Sequence, residues 1–338
     1  MNVYRTVQTR ALPLGMIGML MLAGCVTTGS PSEVADPGAP TVLVSGSSTV
    51  EPISSLVAED FAGRSEGFEY EVDGPGTGDG FALFCEGQTD ISDASRPISE
   101  EEIAACEDSG IPWVELKVAV DGISVITSTT NDAVTCLSFG DLYALLGPES
   151  QGFDNWNAAD ELAAELDGEF GTSNAPFPDA PLEVTAPGEE SGTYDSFLEI
   201  VFGDIAEARD QEEVARPDYT ASPDDNVIIE GIAGADGSLG WVGFAFYEQN
   251  ADAVTALEID GGDGCVSPTA ETIASNEYPI SRDLFIYVNT DRADANPAVA
   301  DFVDYYLSDD GIAAVAEAGY VDLTPEALEE TRAAWEGR

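Results

Sequence analysis

Three times in this chain a run of β-branched or apolar residues ends in a turn of small residues and restarts as a helix. From Thr41, TVLVSGSSTVEPISSLVAEDF reads as a strand, the turn Ser45-Gly46-Ser47-Ser48-Thr49, and a helix with Ile53, Leu56, Val57 and Phe61 on one face. From Phe68, FEYEVDGPGTGDGFALFC repeats the plan, with a strand over 68–72, a glycine turn from Gly74 to Gly80 and a helix through Cys85. After the strand PLEVTAPG, the stretch EESGTYDSFLEIVF places Ser191-Gly192-Thr193 at the start of a third helix. Strands alternating with helices in this way call for an α/β fold.

Each turn presents backbone N–H groups and hydroxyls at a helix N-terminus. Such ends carry unpaired donors and a partial positive charge, so they hold an oxyanion without many cationic side chains. Ordinary capping explains any one of them. Three together, two rich in glycine, point to an anion site.

Cations are indeed scarce. The 338 residues hold 11 Lys+Arg against 65 Asp+Glu, a net charge of −54, while 43% of residues are apolar. The apolar share is that of a folded protein, so the charge belongs to an acidic surface. Nucleic acid and anionic membrane surfaces are poor partners for such a field. A single lysine, Lys117, amid this excess of carboxylates suggests a protein kept soluble in a saline habitat. Histidine is absent, which removes Ser-His-Asp and Cys-His catalysis and every imidazole metal site. No metal or cofactor is expected, and the acidic DGGDG stretch at 260–264 does not follow an EF-hand loop.

The N-terminus reads as an address. Arg5 and Arg10 precede ALPLGMIGMLML, which is too short to span a bilayer as a helix and fits a signal peptide over 1–24. It closes in LAGC, which resembles a bacterial lipobox and implies that Cys25 is acylated, followed by a flexible tether to residue 40. The protein is then exported and anchored to the membrane by lipid alone, facing the periplasm or the cell exterior. The remaining Cys85, Cys106, Cys136 and Cys265 favour two disulfides in an exported chain. Pairing Cys85 with Cys106 and Cys136 with Cys265 keeps each bridge within one domain, and the shorter loop contributes about 3 kcal/mol. No CxxC spacing occurs, so zinc is not expected.

The segments GSSTVEP, GPGTGDG, DISDASRPI and SGTYDSF, in this order over most of the chain, resemble the PstS-type phosphate-binding lipoproteins of ABC importers. The resemblance implies a two-lobed, type II periplasmic-binding-protein architecture. Each lobe is a mixed, mostly parallel sheet flanked by helices, and two strands form the hinge. It implies a monomeric receptor, not an enzyme, that binds inorganic phosphate and delivers it to ABC-transporter permease subunits. By position, the ligand residues implied are Ser48, Thr49 and Val50 at the first turn, Gly76, Thr77 and Gly78 at the second, Ser95, and Ser191, Gly192 and Thr193 at the third.

Two departures stand out. The family's arginine four residues before the SGT serine is Pro187 here, and we expect Arg96 to take over its bidentate role, with Arg282 as second choice. Ser95 replaces the aspartate that accepts the ligand's proton and thereby rejects sulfate. Asp93 and Asp195 are nearest in sequence to replace it, with Asp79 behind them. These departures leave open the same fold holding sulfate, molybdate, arsenate or a phosphonate. A secreted phosphatase using Ser191 or Thr193 would lack an activating base or metal.

The apolar runs WVELKVAVDGISVITS and LFIYVNT read as strands crossing between lobes. They divide the chain into lobe one, 41–126 with 285–338, and lobe two, 127–284, closing on the ligand by hinge motion. GADGSLGWVGFAFYEQN reads as a buried strand and turn in which Trp241 can report closure, and the segment after Ala295 reads as helices covering lobe one.

Overall fold

A computed structural model describes residues 41–189 and 191–338; the expected signal peptide, Cys25 and the tether lie outside them. The first two strand-turn-helix units form as the sequence indicates. Strand β1 (Val42–Gly46) leads into helix α1 (Glu51–Arg64), and β2 (Tyr70–Asp73) into α2 (Thr77–Cys85). Strand β3 (Ile91–Ala94) follows, then α3 (Glu100–Ser109), opened by a Ser99–Glu102 capping box. Ile53 and Val57 of α1 are buried, while Leu56 and Phe61 are only half covered.

A single strand, β4 (Trp113–Ser128), spans the long apolar run. Beyond it come β5 (Glu183–Ala186), α4 (Gly192–Val201), β6 (Ser238–Gly243), β7 (Val254–Ala256) and β8 (Ser281–Asn289). The sheet runs β2-β1-β3-β8-β4-β6-β5, ending at the short Thr220–Ala221 strand, with β7 also on β4. Pairing is parallel among β1, β2 and β3 and between β5 and β6, but antiparallel wherever β4 or β8 takes part. The parallel parts are thus confined to the two ends, as a chain that crosses out on β4 and back on β8 requires.

The cores separate in the same place. Leu116 and Val118 of β4 join Val42, Ile53, Ile286, Phe302 and Trp335 in one apolar cluster. Val120, Ile123 and Val125 join Leu142, Trp156, Phe197 and Trp241 in another. Buried strands contribute to both faces, which is why the run is apolar without alternation. After β8 and the short helix Thr290–Ala295 come three longer C-terminal helices, α5 (Pro297–Tyr306), α6 (Asp309–Glu317) and α7 (Pro325–Glu336). Val299, Phe302, Val315 and Trp335 cover the first cluster, while Val321 and Leu323 reach into the second. The disulfides are Cys85–Cys106, from α2 to α3, and Cys136–Cys265, across a small sheet of Cys136–Ser138, Glu258–Asp260 and Cys265–Val266. Among the described residues no helix is long and apolar enough to cross a membrane.

Candidate functional site

The C-terminal ends of three adjacent parallel strands, where α/β sheets hold ligands, bring the first two turns together. The Ser47 N–H donates to the Asp93 carbonyl at 2.8 Å, and the Gly76 N–H to the Gly46 carbonyl at 2.8 Å. Thr77 Oγ1 lies 3.1 Å from Ser95 Oγ and accepts from the Ser95 N–H at 3.2 Å. Two glycines permit this approach. A Cβ on Gly46, whose φ is +154°, would sit 2.1 Å from the Asp93 carbonyl oxygen, and one on Gly80 would sit 2.4 Å from the Gly46 Cα.

The third turn faces the first. Ser191 caps α4 by accepting from the Thr193 N–H at 3.2 Å, and a Cβ on Gly192 would lie 4.0 Å from Thr49 Oγ1. Between them stands Arg282, on β8 directly opposite Asp121 of β4. Its guanidinium donates to Thr49 Oγ1 at 3.0 Å, to Ser196 Oγ, and to Glu199 Oε2 at 2.5 Å. Its Nε faces Asp121 Oδ2 at 3.5 Å and has no hydrogen-bond partner among the described residues. Asp121 is 6% exposed; burial pushes its carboxyl above the usual carboxylate range, opposed by Arg282 and Ser196. The arginine therefore ties the first turn, on one side of the crossing strands, to the helix behind the third turn, on the other.

Arg96 has a different place. Its two terminal nitrogens donate to the two carboxylate oxygens of Glu102 at 2.9 and 2.8 Å, and its guanidinium lies 5.7 Å from the Phe81 ring centre. Glu102 is also the residue that closes the α3 capping box, so the fork is occupied by the chain's own helix cap. Arg282, not Arg96, is the cation that stands between the turns.

The other expected residues divide by exposure. Thr49 and Val50 are buried, their N–H groups donating to Ser47 Oγ at 3.2 Å and to the Ser47 carbonyl at 3.1 Å, while Ser48 is exposed. Gly78 and Asp79 lie exposed on the first turn of α2, and Asp195 is exposed on the first turn of α4. Asp93 is sealed beneath α1. Its Oδ1 accepts from Ser54 Oγ at 2.9 Å, Ser54 Oγ is 3.2 Å from the Tyr306 hydroxyl, and Oδ2 has no hydrogen-bond partner among the described residues. Burial pushes this carboxyl up to about 8, against the Ser54 hydrogen bond and with help from Glu51 and Asp73. Sequence reasoning missed Asp121 and Glu199, and ranked Arg282 second. The signal for Asp121 was an acid set among apolar residues on both sides, VAVDGISV, in the fully buried half of β4.

A cavity of about 270 Å³ opens beside Asp121 and Thr193, lined further by Asp225, Phe246 and Tyr320. A larger groove of about 590 Å³ between α1 and α6, around Arg64 and Tyr305, touches none of the turn residues.

Comparison with known proteins places this geometry. A PBP superfamily domain matches residues 31–310. Phosphate-binding protein PstS of Staphylococcus epidermidis is 32% identical over 277 residues, covering 82% of this chain and 77% of its own. The chain is a PstS-type member of the PBP superfamily. Protein SphX of a Synechocystis strain resembles this PstS-type chain more closely, at 37% identity over 94% of this chain and 87% of SphX. The crystal structure of a possible phosphate binding protein from Planctomyces limnophilus superposes with a TM-score of 0.78 at 33% identity, covering 88% of this chain and 98% of that one. The PstS-type chain thus has the two-lobed α/β fold of its superfamily, a family of substrate-binding proteins of transporters.

Proposed function

We propose that this chain binds inorganic phosphate between its two lobes and hands it to the permease of an ABC importer. The observation that carries this reading is Arg282, bonded to Thr49 of the first turn and to Ser196 of the helix that begins at the third. The N-termini of α1, α2 and α4 supply fixed dipoles, Thr49, Thr77, Ser95, Ser191 and Thr193 supply hydroxyls, and Arg282 supplies the charge. Ser48, Val50, Gly76, Gly78 and Gly192 shape the turns. The lobes, 41–126 with 285–338 and 127–284, close about the stretch of β4 near Ala119–Ile123, where the cores change over. The relatives named as phosphate-binding support the choice of anion.

Asp121 takes the part of the missing aspartate. It is buried, it faces the arginine, and its carboxyl is raised by burial. Hydrogen phosphate carries a proton for such a carboxylate to accept; sulfate has none near neutral pH and would meet an unpaired charge. Asp93, closed off by Ser54 and Tyr306, and Asp195, at the rim, are less well placed. No histidine is available to activate a serine, so the chain acts as a receptor without catalysis. Acylation of Cys25 would hold the monomer at the outer face of the membrane, within reach of its permease, in a saline habitat.

Titration calorimetry of the phosphate-stripped mature protein tests this. Wild type binds one phosphate and excludes sulfate, whereas Asp121→Asn admits sulfate to within about tenfold of phosphate. Equal binding of both anions by wild type, or of neither, overturns the reading.

A further inference from the structure

Glu199 is a carboxylate the binding scheme does not use, yet it makes the shortest ion pair of Arg282. Its Oε2 accepts from Arg282 at 2.5 Å, its side chain is 54% exposed, and that of Arg282 is 12% exposed. Glu199 lies on α4 two turns beyond the SGT turn, one turn after Ser196, which also holds the arginine. Its field reaches further: it acts on Asp195 and Glu213, and it contributes, behind Glu102, to holding Arg96 protonated.

The two acids on Arg282 differ in freedom. Asp121 is buried on the central strand β4, directly opposite the arginine. Glu199 is a half-exposed side chain on a helix surface, and an ion pair so exposed is weak enough to exchange. One terminal nitrogen of Arg282 is directed at Thr49 and Ser196 and the other at Glu199. An anion seated at Thr49 and the SGT turn therefore gains the second nitrogen only by taking the edge that Glu199 holds.

We propose that Glu199 is a displaceable stand-in for the anion: it neutralises Arg282 in the empty protein, holds α4 to the crossing strand, and gives way when phosphate enters. The inference rests on Arg282 being a phosphate ligand. Glu199 is then an affinity-setting positioning residue, lowering phosphate affinity by competition and by repulsion of a dianion. Salt screens an exposed carboxylate more than a buried one, so this handicap shrinks as salt rises.

The test is phosphate calorimetry on the mature chain in low and in molar salt. Glu199→Gln tightens phosphate binding by about five- to twentyfold in low salt, and the gain falls below about threefold in molar salt. Glu199→Ala does the same, which separates the lost charge from any new amide contact. Asp204→Asn, removing an exposed acid from the next helix, changes affinity less than about twofold and controls for net charge. Folded Glu199 variants that bind phosphate equally or more weakly in low salt, or whose gain is indifferent to salt, overturn the proposal. Absence of phosphate binding by wild type itself refutes the receptor reading, and this inference with it.

Discussion

Arg96 and Arg282 are chemically identical, and the fold gives them opposite work. Arg96 lies in a ligand-type loop, yet its partner is Glu102, six residues on, in the cap of the next helix. Arg282 begins a strand with no motif around it, and its partners Thr49, Ser196 and Glu199 lie 233, 86 and 83 residues away. A cation close in sequence to an acid finds that acid first, because little chain must be ordered to make the pair. On the function proposed above, the arginine that meets an external anion is the one whose contacts join segments far apart in the chain.

Arg282→Ala sharpens that contrast most. Loss of a charged, multiply bonded donor lowers phosphate affinity by about 100-fold or more in calorimetry. It also leaves Asp121 buried and unpaired, so the melting temperature falls as well. Arg282→Lys recovers part of the stability but little of the affinity, because an ammonium cannot span Thr49, Ser196 and an anion at once. Arg96→Ala is expected to change phosphate affinity less than about fivefold and to lower the melting temperature by a few degrees, since the pair is partly exposed, at 37% and 18%. A loss of affinity as large as that of Arg282→Ala would break the comparison and return the ligand role to Arg96.

The smallest effect concerns Asp93, beneath the first turn. Its folded-state pKa of about 8 lies above that of an unfolded aspartate, so between about pH 4 and 8 the folded state binds the extra proton. Its contribution to stability therefore falls as pH rises through that window and is lowest above 8. Asp93→Asn, which cannot ionise, should gain on wild type in thermal melts as pH goes from 5 to 9. Parallel melting curves for the two proteins at every pH would remove Asp93 from the account.

Much of the fold is local, and local features were readable. The small-residue turns after Val44, Val72 and Ala186 each open a helix, because capping and strand-to-helix switches are decided within a few residues. The long, mostly apolar run of β4 was readable too, since a strand covered on both faces carries apolar residues at successive positions. The second strand starts at Tyr70, later than Phe68, because its ladder with β1 begins at the Val42–Tyr70 pair. Arg282 was readable only as a second choice, and the pairing of the site's charges was not readable. Asp121 and Arg282 meet only through the antiparallel register of β4 and β8, and Glu199 joins them only through the packing of α4. Nothing in DISDASRPI reveals that Asp93 points under α1 toward Ser54 and Tyr306 while Arg96 turns toward Glu102.

Lys117 sits on β4 with its Nζ 2.5 Å from Asp283 on β8, so the chain's one lysine side chain bridges the two crossing strands. An amine-selective reagent consequently has a single ε-amino target, 21% exposed, on the strand pair that joins the two core clusters. One acylated fluorophore there would report on strand movement without mutagenesis, from a position fixed by composition alone.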